Sequence, residues 1–321
     1  MSKVYNAFLL VLCLAFAGTA IASENPLVEK KKVYTKSYTL NSSDKVSVIN
    51  QFGELRINTW AKNEVKVEVT ITAEAKTDER AQSILDGINI SDSKTSNGVV
   101  FKTNTKSNKN QRWEKGEKQG FQVDYEVFLP AQNPLYASNE FGPLVIGDHS
   151  GETTVISKFG SARIGKLSNA KKIQVEFGSL ILDAMNNGNL VIKFSSVEVR
   201  KTSGELNIDV EHSSAKLNLD NGVKNVTVKN SFSPLLLDVP TNFSATYNIR
   251  TSFAKLKNKT SFAINKEDED EGRGPKFDFD YTGKSGGGET SVKVKTSFGD
   301  ITIGHNLPFK VEEKNKKTKD I

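Results

Sequence analysis

A ten-residue signature recurs nine times along this chain, and its spacing constrains the fold more than any other feature. Each copy has an aromatic anchor followed by a small residue, from INQFGELRIN in the first copy to KTSFGDITIG in the last. The anchors are Phe52, Phe141, Phe159, Phe177, Phe194, His212, Phe232, Phe253 and Phe298. From Phe141 to Phe253 they are 18, 18, 17, 18, 20 and 21 residues apart. A period near 20 residues indicates structural units that stack on one another.

Apolar residues keep one register around each anchor. At Phe298 they are Val292 and Val294 before the anchor and Ile301 and Ile303 after it. The spacing of two before the anchor is that of a strand with one buried face, and the parity shifts by one after it. The shift coincides with a small residue, which suits a tight corner. The pattern therefore predicts an all-β parallel β-helix, in which each repeat is one strand, corner, strand and return.

Stacked rungs would lie about 4.8 Å apart, so we expect the anchors to form one structural ladder inside the coil. Its members would be Phe141, Phe159, Phe177, Phe194, His212, Phe232, Phe253 and Phe298. We interpret this ladder as hydrophobic filling and not as a binding strip. If the ring of Phe177 is buried, Phe177→Ala should cost about 3–5 kcal/mol.

The beginning of the chain has the layout of a cleavable secretory signal over residues 1–22. Lys3 precedes an apolar stretch from Ala7 to Ala17, and small residues at Ala20 and Ala22 mark an exit. The apolar stretch is too short to span a bilayer comfortably, so we expect an exported product that does not span the membrane, located in the periplasm or outside the cell. The single cysteine, Cys13, lies inside this signal, so the exported chain would form no disulfide.

The charge balance of the chain gives no indication of a nucleic-acid partner. The chain has 44 Lys and Arg against 38 Asp and Glu. This excess is too small and too dispersed for the basic patch of a nucleic-acid-binding protein.

Pattern changes suggest three regions after the signal. Residues 23–130 read as an N-terminal β-rich cap, with an alternating strand over residues 65–71, a short helix over residues 77–88 and a second strand over residues 121–129. Residues 131–307 read as the β-helix repeats, interrupted by an acidic and Gly-rich insertion at 266–288. Residues 308–321 read as a charged flexible tail.

These features together resemble a known family. Gly53, Leu55, Ile57 and Trp60 match a G-x-L-x-I-x-x-W stretch, a later strand ends in Leu129-Pro130, and short G-x-hydrophobic-x-hydrophobic repeats follow. The arrangement resembles the bacterial adhesin-like family of β-strand-repeat proteins of unknown function, which is related to the auto-transporter adhesin head domain. The resemblance implies a right-handed, single-stranded β-helix outside the cytoplasm, and it implies no established chemistry.

The sequence offers no convincing catalytic, cofactor or metal constellation. The residues before five successive anchors are Glu140, Lys158, Glu176, Lys193 and Glu211. Glycoside hydrolysis needs two carboxylates about 5–9.5 Å apart, one of them protonated, whereas these acids alternate with lysines. A cross-strand charge ladder explains the pattern more simply. The three histidines, His149, His212 and His305, show no metal-ligand spacing, and His212 is expected to be a packed imidazole.

Two loops could contact a partner. The acidic run from Glu267 to Glu271, with Asp278 beyond it, matches a calcium loop only loosely, so a solvated loop is the simpler interpretation. Arg112 and Trp113, in a basic segment, could hold a glycan or an acidic partner by ion pairing and stacking.

The first hypothesis for function is therefore an exported, non-enzymatic β-solenoid that acts as an adhesin-like or envelope scaffold and binds a protein or glycan. Two alternatives stay open: a carbohydrate-active enzyme on a β-helix, and a periplasmic signalling partner.

Overall fold

Apolar and polar residues alternate along much of the chain, a pattern that forms β-strands with one buried face. In residues 65–71, for example, buried Val65, Val67, Val69 and Ile71 alternate with half-exposed residues. The computed structural model describes residues 26–105, 119–267 and 276–312, and over these ranges the fold is all-β with one short helix. The expected signal peptide with Cys13, the pair Arg112 and Trp113, and most of the acidic run lie outside the described residues.

Within these ranges, twenty-one strands join in one hydrogen-bonded sheet. They are β1 (Val28–Thr39), β2 (Lys45–Gln51), β3 (Leu55–Trp60), β4 (Glu64–Ala75), β5 (Ile88–Thr95), β6 (Gly98–Thr105), β7 (Gly120–Pro130), β8 (Leu135–Glu140), β9 (Leu144–Ile146), β10 (His149–Lys158), β11 (Ser161–Glu176), β12 (Ser179–Lys193), β13 (Ser196–Glu211), β14 (Ser214–Ser231), β15 (Leu235–Asp238), β16 (Ala245–Ser252), β17 (Leu256–Asn258), β18 (Ala263–Lys266), β19 (Asp278–Ser285), β20 (Thr290–Ser297) and β21 (Ile301–Gly304).

The predicted helix is confirmed as α1 (Asp78–Asp86). It begins at Thr77, whose hydroxyl accepts a hydrogen bond from the amide of Arg80 at 3.2 Å and so caps the first turn. The two predicted strands of the N-terminal region are confirmed as β4 and β7.

Each anchor joins a strand segment before it to one after it, and we call this unit a rung. Segments before the anchors pair in parallel from rung to rung, as Ile173 does with Leu190, and so do segments after them, as Leu180 does with Val197. Strands β11 to β14 each run from one anchor to the next and therefore contribute to two rungs. Two columns of parallel strands thus flank the line of anchors.

The rungs do not stack in sequence order. The last rung, β20–Phe298–β21, lies between the rungs of Phe232 and Phe253, because β20 pairs in parallel with both β14 and β16. Strand β19 pairs antiparallel with the opposite edge of β16, so the chain must cross over the start of β16 between β19 and β20. Gly286 and Gly288, both with positive φ, form this crossing, and Ser244 Oγ accepts the amide hydrogen of Gly288 at 3.0 Å. Part of the segment predicted as an insertion is therefore the strand that closes this end.

Antiparallel strands cover the other end as well. Strands β6 and β7 pair in parallel with β2 and β3 of the first rung, and antiparallel pairs β5–β6, β4–β7 and β1–β4 continue the sheet outward. The antiparallel strands thus cover the pre-anchor strands β2 and β16 of the two end rungs, whose edges could otherwise pair with further strands.

The core lies between the two columns of strands. In the rung of Phe177 it consists of Ile173, Val175, Leu180 and Leu182, and all four side chains are fully buried. Burying each such side chain contributes about 1.5–3 kcal/mol, so the core repeats the same stabilising set from rung to rung.

The expectation that the anchors fill the interior is wrong. The ladder phenylalanines are 36–53% exposed, and every anchor has a left-handed backbone conformation with φ between 46° and 65°. This conformation interrupts the alternation at the anchor itself, so the residue two positions earlier faces inward and the aromatic ring faces out. His212 lies in the same exposed line and not in the core.

The small residue after each anchor is required by the close approach of neighbouring rungs. A Cβ atom on Gly142, Gly160 or Gly178 would lie 2.0 Å from the carbonyl oxygen of the corresponding glycine in the preceding rung. In later rungs serine takes this position and forms a chain of hydrogen bonds, with Ser195 N donating to Ser213 Oγ at 3.0 Å and Ser213 N donating to Ser233 Oγ at 2.9 Å. Glycine therefore allows backbone contact, and serine supplies a polar bridge.

We predict that Gly160→Ala destabilises the fold by about 1–3 kcal/mol or more, because the added methyl group overlaps backbone that cannot move independently. Gly147→Ala is the matched control, since the atom nearest to its added Cβ is 3.8 Å away. Urea denaturation of the two variants measures the difference, and equal midpoints would contradict the close approach of the rungs.

Candidate functional site

The most extensive surface feature is a continuous stack of aromatic rings along one corner of the rungs, which we call the aromatic ladder. It contains the nine anchors, extended by Phe121 beside Phe52 and by Phe277 beside Phe253. In spatial order the rings are Phe121, Phe52, Phe141, Phe159, Phe177, Phe194, His212, Phe232, Phe298, Phe253 and Phe277. Neighbouring centroids are 4.5–5.2 Å apart, so the ladder extends roughly 50 Å at the spacing of β-strands.

Ring orientation decides what the ladder can present to solvent. From Phe52 to Phe277 neighbouring rings are within 14° of parallel, and only Phe121 meets its neighbour edge-on, at 65°. Both faces of each ring inside the ladder are therefore covered by neighbouring rings, and the exposed part is the edge. The ladder is a ridge of ring edges and not a row of open aromatic faces.

The anchors combine local strain with contact between rungs. A left-handed backbone costs a non-glycine residue roughly 1–2 kcal/mol, while each stacked aromatic pair contributes about 0.5–1.5 kcal/mol beyond its area burial. Each contact is shared by two rings, so there is about one stacked contact per anchor, and stacking offsets part of the strain. Each ring thus depends on the rungs next to it.

A row of alternating charges follows one side of the ladder, as the sequence predicts. We call Glu140, Lys158, Glu176, Lys193 and Glu211 the charge row. Lys158 Nζ lies 3.2 Å from a carboxylate oxygen of Glu176, and Lys193 Nζ lies 2.9 Å from one of Glu211. Beyond these five rungs the same position holds Ser231, Ser297 and Ser252, so the charges accompany only part of the ladder.

Pairing with lysines keeps Glu176 and Glu211 ionised. Partial burial alone would raise the pKa of Glu176, but hydrogen bonds from Gln174 and Lys158 outweigh it and hold the pKa below its ordinary value. The hydrogen bond from Lys193 lowers the pKa of Glu211, and the same contact raises the pKa of Lys193. Neither Glu176 nor Glu211 is a carboxylic acid held protonated near neutral pH.

The described C-terminal segment covers the rungs on the other side of the ladder. The amides of Asn306 and Leu307 donate to the carboxylate of Asp238 at 2.8 and 2.9 Å, and Leu307 is buried. The amide of Glu312 then donates to Ser196 Oγ at 3.0 Å. Residues 305–312 thus return along the stack, and the charge row lies on the side that this segment does not occupy.

A shallow depression of about 440 Å³ lies at the first end of the ladder. Phe52, Phe121 and Phe141 line it together with Glu54 and Gln122. The carboxylate of Glu54 is already engaged by Arg56, which leaves the depression mainly apolar.

The remaining residues considered from the sequence do not form one site. His149 is buried with Nε2 2.8 Å from the carbonyl of Asn133, and His305 Nδ1 lies 2.7 Å from the carbonyl of Val239. Within the described ranges no group of three His, Cys, Asp or Glu side chains could hold a metal ion. The calcium alternative concerns residues that lie mostly outside those ranges. No helix of the described part is long and apolar enough to cross a membrane.

Sequence reasoning missed the two terminal rings of the ladder. Phe121 and Phe277 do not carry the repeat signature, and their positions depend on pairing with rungs that are distant along the chain. Phe277 is fixed by the amide of Phe253, which donates to its carbonyl oxygen at 2.9 Å. No local sequence signal reports such a pairing.

No protein-family model and no curated protein matches the chain. Among solved structures, one similar chain is a candidate cell adhesion protein from Clostridium sporogenes ATCC 15579, at 11% identity and a TM-score of 0.20, covering 86% of this chain and 100% of that one. A candidate adhesin from Bacteroides fragilis NCTC 9343 has 8% identity and a TM-score of 0.33, covering 85% and 97%. A candidate lipid-binding protein from Parabacteroides distasonis ATCC 8503 has 9% identity and a TM-score of 0.27, covering 84% and 96%. Likeness at this level carries no functional argument.

The exposed ladder changes the expected cost of removing a ring. We predict that Phe177→Ala destabilises the fold by roughly 1–2 kcal/mol, because it removes two stacking contacts but creates no interior cavity. Leu180→Ala, in the same rung, should cost about 2–5 kcal/mol because that side chain is fully buried. Chemical denaturation measures the free energy of unfolding of both variants. A larger loss for Phe177→Ala than for Leu180→Ala would indicate that the ring of Phe177 lies in the interior.

The charge row predicts a specific dependence of stability on pH. Because the folded-state pKa of Glu176 is lowered, its stabilising effect is present above the unfolded value near 4.3 and is lost as pH falls through the folded value. The melting temperature of Glu176→Gln should therefore lie below that of the parent at pH 7, and the difference should shrink as the pH falls through the lowered folded-state pKa. Glu205→Gln, which removes the charge of an exposed acid away from the charge row, is the matched control.

Proposed function

We propose that this chain is an exported, non-enzymatic, adhesin-like scaffold of the cell envelope or cell surface, and that it binds a protein partner along the aromatic ladder. In this proposal the stacked rungs of residues 131–307 form a right-handed, single-stranded parallel β-helix, residues 23–130 form its cap, and residues 1–22 direct export. The observation that carries the proposal is the ladder itself, an apolar ridge roughly 50 Å long at strand spacing.

The exposure of the ladder supports a binding role. Soluble monomers rarely expose long contiguous apolar surfaces, and those that do commonly use them for interaction. Here the exposed rings are continuous across ten positions from Phe52 to Phe277, whereas Val33 and Val100 are isolated exposed apolar side chains elsewhere. A rigid, pre-ordered surface also loses little conformational freedom when a partner binds.

The orientation of the rings favours a protein over a glycan. Sugar rings bind aromatic side chains by lying on a ring face, and inside the ladder both faces are occupied by neighbours. Ring edges beside alternating charges instead suit a partner that offers apolar side chains and complementary ions.

The carbohydrate-active alternative loses support from the charge row. A general acid must hold its proton near neutral pH, but the pKa values of Glu176 and Glu211 are both lowered by their partners. Lys193 also lies between these two acids along the row. We therefore expect no polysaccharide turnover that depends on either acid, which Glu176→Gln and Glu211→Gln would show directly.

Binding assays with a ladder variant test the proposal. The double variant Phe159→Asn, Phe177→Asn removes two adjacent rings while asparagine tolerates the left-handed backbone. The purified chain without residues 1–22 should capture envelope or matrix proteins, and the double variant should bind the captured protein at least about tenfold more weakly. The control Val33→Thr, Val100→Thr, which changes exposed apolar residues off the ladder, should bind as the parent does. Protein binding unaffected by loss of the rings, or glycan binding alone, would overturn the proposal.

A further inference from the structure

The charge row is arranged so that two copies of the ladder fit each other in one antiparallel register. We propose that the chain forms a two-fold symmetric dimer through the aromatic ladder and the charge row, an inference that rests on the ladder being a protein-binding surface and names a second copy as its partner.

Matching spacing is the first argument. A two-fold axis perpendicular to the ladder and lying in the interface places one ladder against the other in the opposite direction, with the two charge rows on the same side. Because both ladders have centroid spacings of 4.5–5.2 Å, ring edges stay in step along the whole contact. A partner with another repeat distance would lose this match within a few rungs.

Charge complementarity selects the register. With the axis midway between the rungs of Phe177 and Phe194, Glu176 faces Lys193 of the other copy and Lys158 faces Glu211 of the other copy. Moving the axis half a rung either way places Glu176 opposite Glu176 or Lys193 opposite Lys193, which is repulsive. Moving it a full rung toward Phe159 keeps complementary charges but matches only eight rings. Moving it a full rung toward His212 still matches ten rings but leaves Glu176 opposite Ser231, so one kind of charge contact is lost.

The favoured register also uses nearly the whole ladder. Phe177 faces Phe194, Phe159 faces His212, and Phe141 faces Phe232. Phe52 then faces Phe298 and Phe121 faces Phe253, so ten of the eleven rings are matched and only Phe277 is left over.

Existing ion pairs become part of a larger network in this dimer. Lys158 is already paired with Glu176 at 3.2 Å, and Lys193 with Glu211 at 2.9 Å. An ammonium has three donors and a carboxylate accepts several hydrogen bonds, so each group can add one partner from the other copy. The result is two symmetric rings of four alternating charges. The C-terminal segment over residues 305–312 lies on the other side of the ladder and leaves this side free.

Sedimentation equilibrium of the purified chain without residues 1–22 tests self-association. We expect a dimer that weakens as salt increases, because partly exposed ion pairs contribute to it. The charge reversal Lys193→Glu should weaken the dimer at least about tenfold, since it places like charges opposite each other twice. A monomer at every concentration examined would overturn the dimer, while ladder-dependent binding of another protein would leave the proposed function intact.

Inverting the whole row separates contacts between copies from contacts within one copy. The variant Glu140→Lys, Lys158→Glu, Glu176→Lys, Lys193→Glu, Glu211→Lys inverts all five charges, so it keeps opposite charges both within the chain and across the dimer. It should form its own dimer yet fail to mix with the parent, because each mixed contact would place like charges together. Free mixing of the two chains, measured by energy transfer between labelled copies, would contradict the register.

Cysteine cross-linking tests the direction of the second copy. Since Cys13 is the only cysteine of the sequence and lies within residues 1–22, introduced cysteines in the shortened chain are unique. Gln51→Cys on one copy should cross-link to Ser297→Cys on another, because these positions flank Phe52 and Phe298. Cross-linking of Gln51→Cys to itself would indicate a parallel arrangement and overturn the proposal.

Discussion

A left-handed backbone turn at a bulky aromatic residue is the constraint on which the rest of this structure depends. Each anchor adopts φ between 46° and 65°, a region that phenylalanine rarely occupies. The turn directs the ring outward, and stacking on the neighbouring rungs offsets part of the strain. An isolated rung would carry the strain without that compensation, so the rungs stabilise one another.

The same arrangement fixes the register of the strands. A parallel pair shifted by one residue would reverse which side chains face the core, and here it would also leave a strained ring without its neighbour. The glycine or serine after each anchor adds a second restriction, because a larger residue at Gly160 would overlap the carbonyl of Gly142. Backbone contact at the corner and ring contact outside it therefore specify one alignment.

Much of the architecture follows from sequence, but the direction of the anchors does not. The repeat spacing indicates stacked units, and alternation identifies inward residues such as Ile173 and Val175. That alternation, continued by one more step, points the ring of Phe177 inward. Only the left-handed turn breaks it, and phenylalanine gives no signal for such a turn because the conformation is unusual for it. Sequence reasoning thus finds the members of the ladder and misplaces them.

Contacts between distant segments explain the other differences. The rung of Phe298 lies between those of Phe232 and Phe253 because β20 pairs on both edges and the glycine-rich crossing passes over Ser244. A repeat pattern alone favours stacking in sequence order, because it does not indicate which rung lies at the end of the stack. The charge row was easier to predict, because each of its members is adjacent to an anchor and alternation of sign is visible along the chain.

The occupation of ring faces within the ladder limits how the surface can recognise a partner. The ring faces, whose interactions depend most on orientation, are already stacked on neighbouring rings. The exposed ring edges make apolar contacts that discriminate poorly between partners. Discrimination must then come from the neighbouring charges, whose alternation extends from Glu140 to Glu211 and gives way to serines beyond. In the proposed dimer the charges on the rungs from Phe141 to His212 therefore exclude a half-rung shift, and the rungs of Phe232, Phe298 and Phe253 add contact area and favour the register that matches most rings.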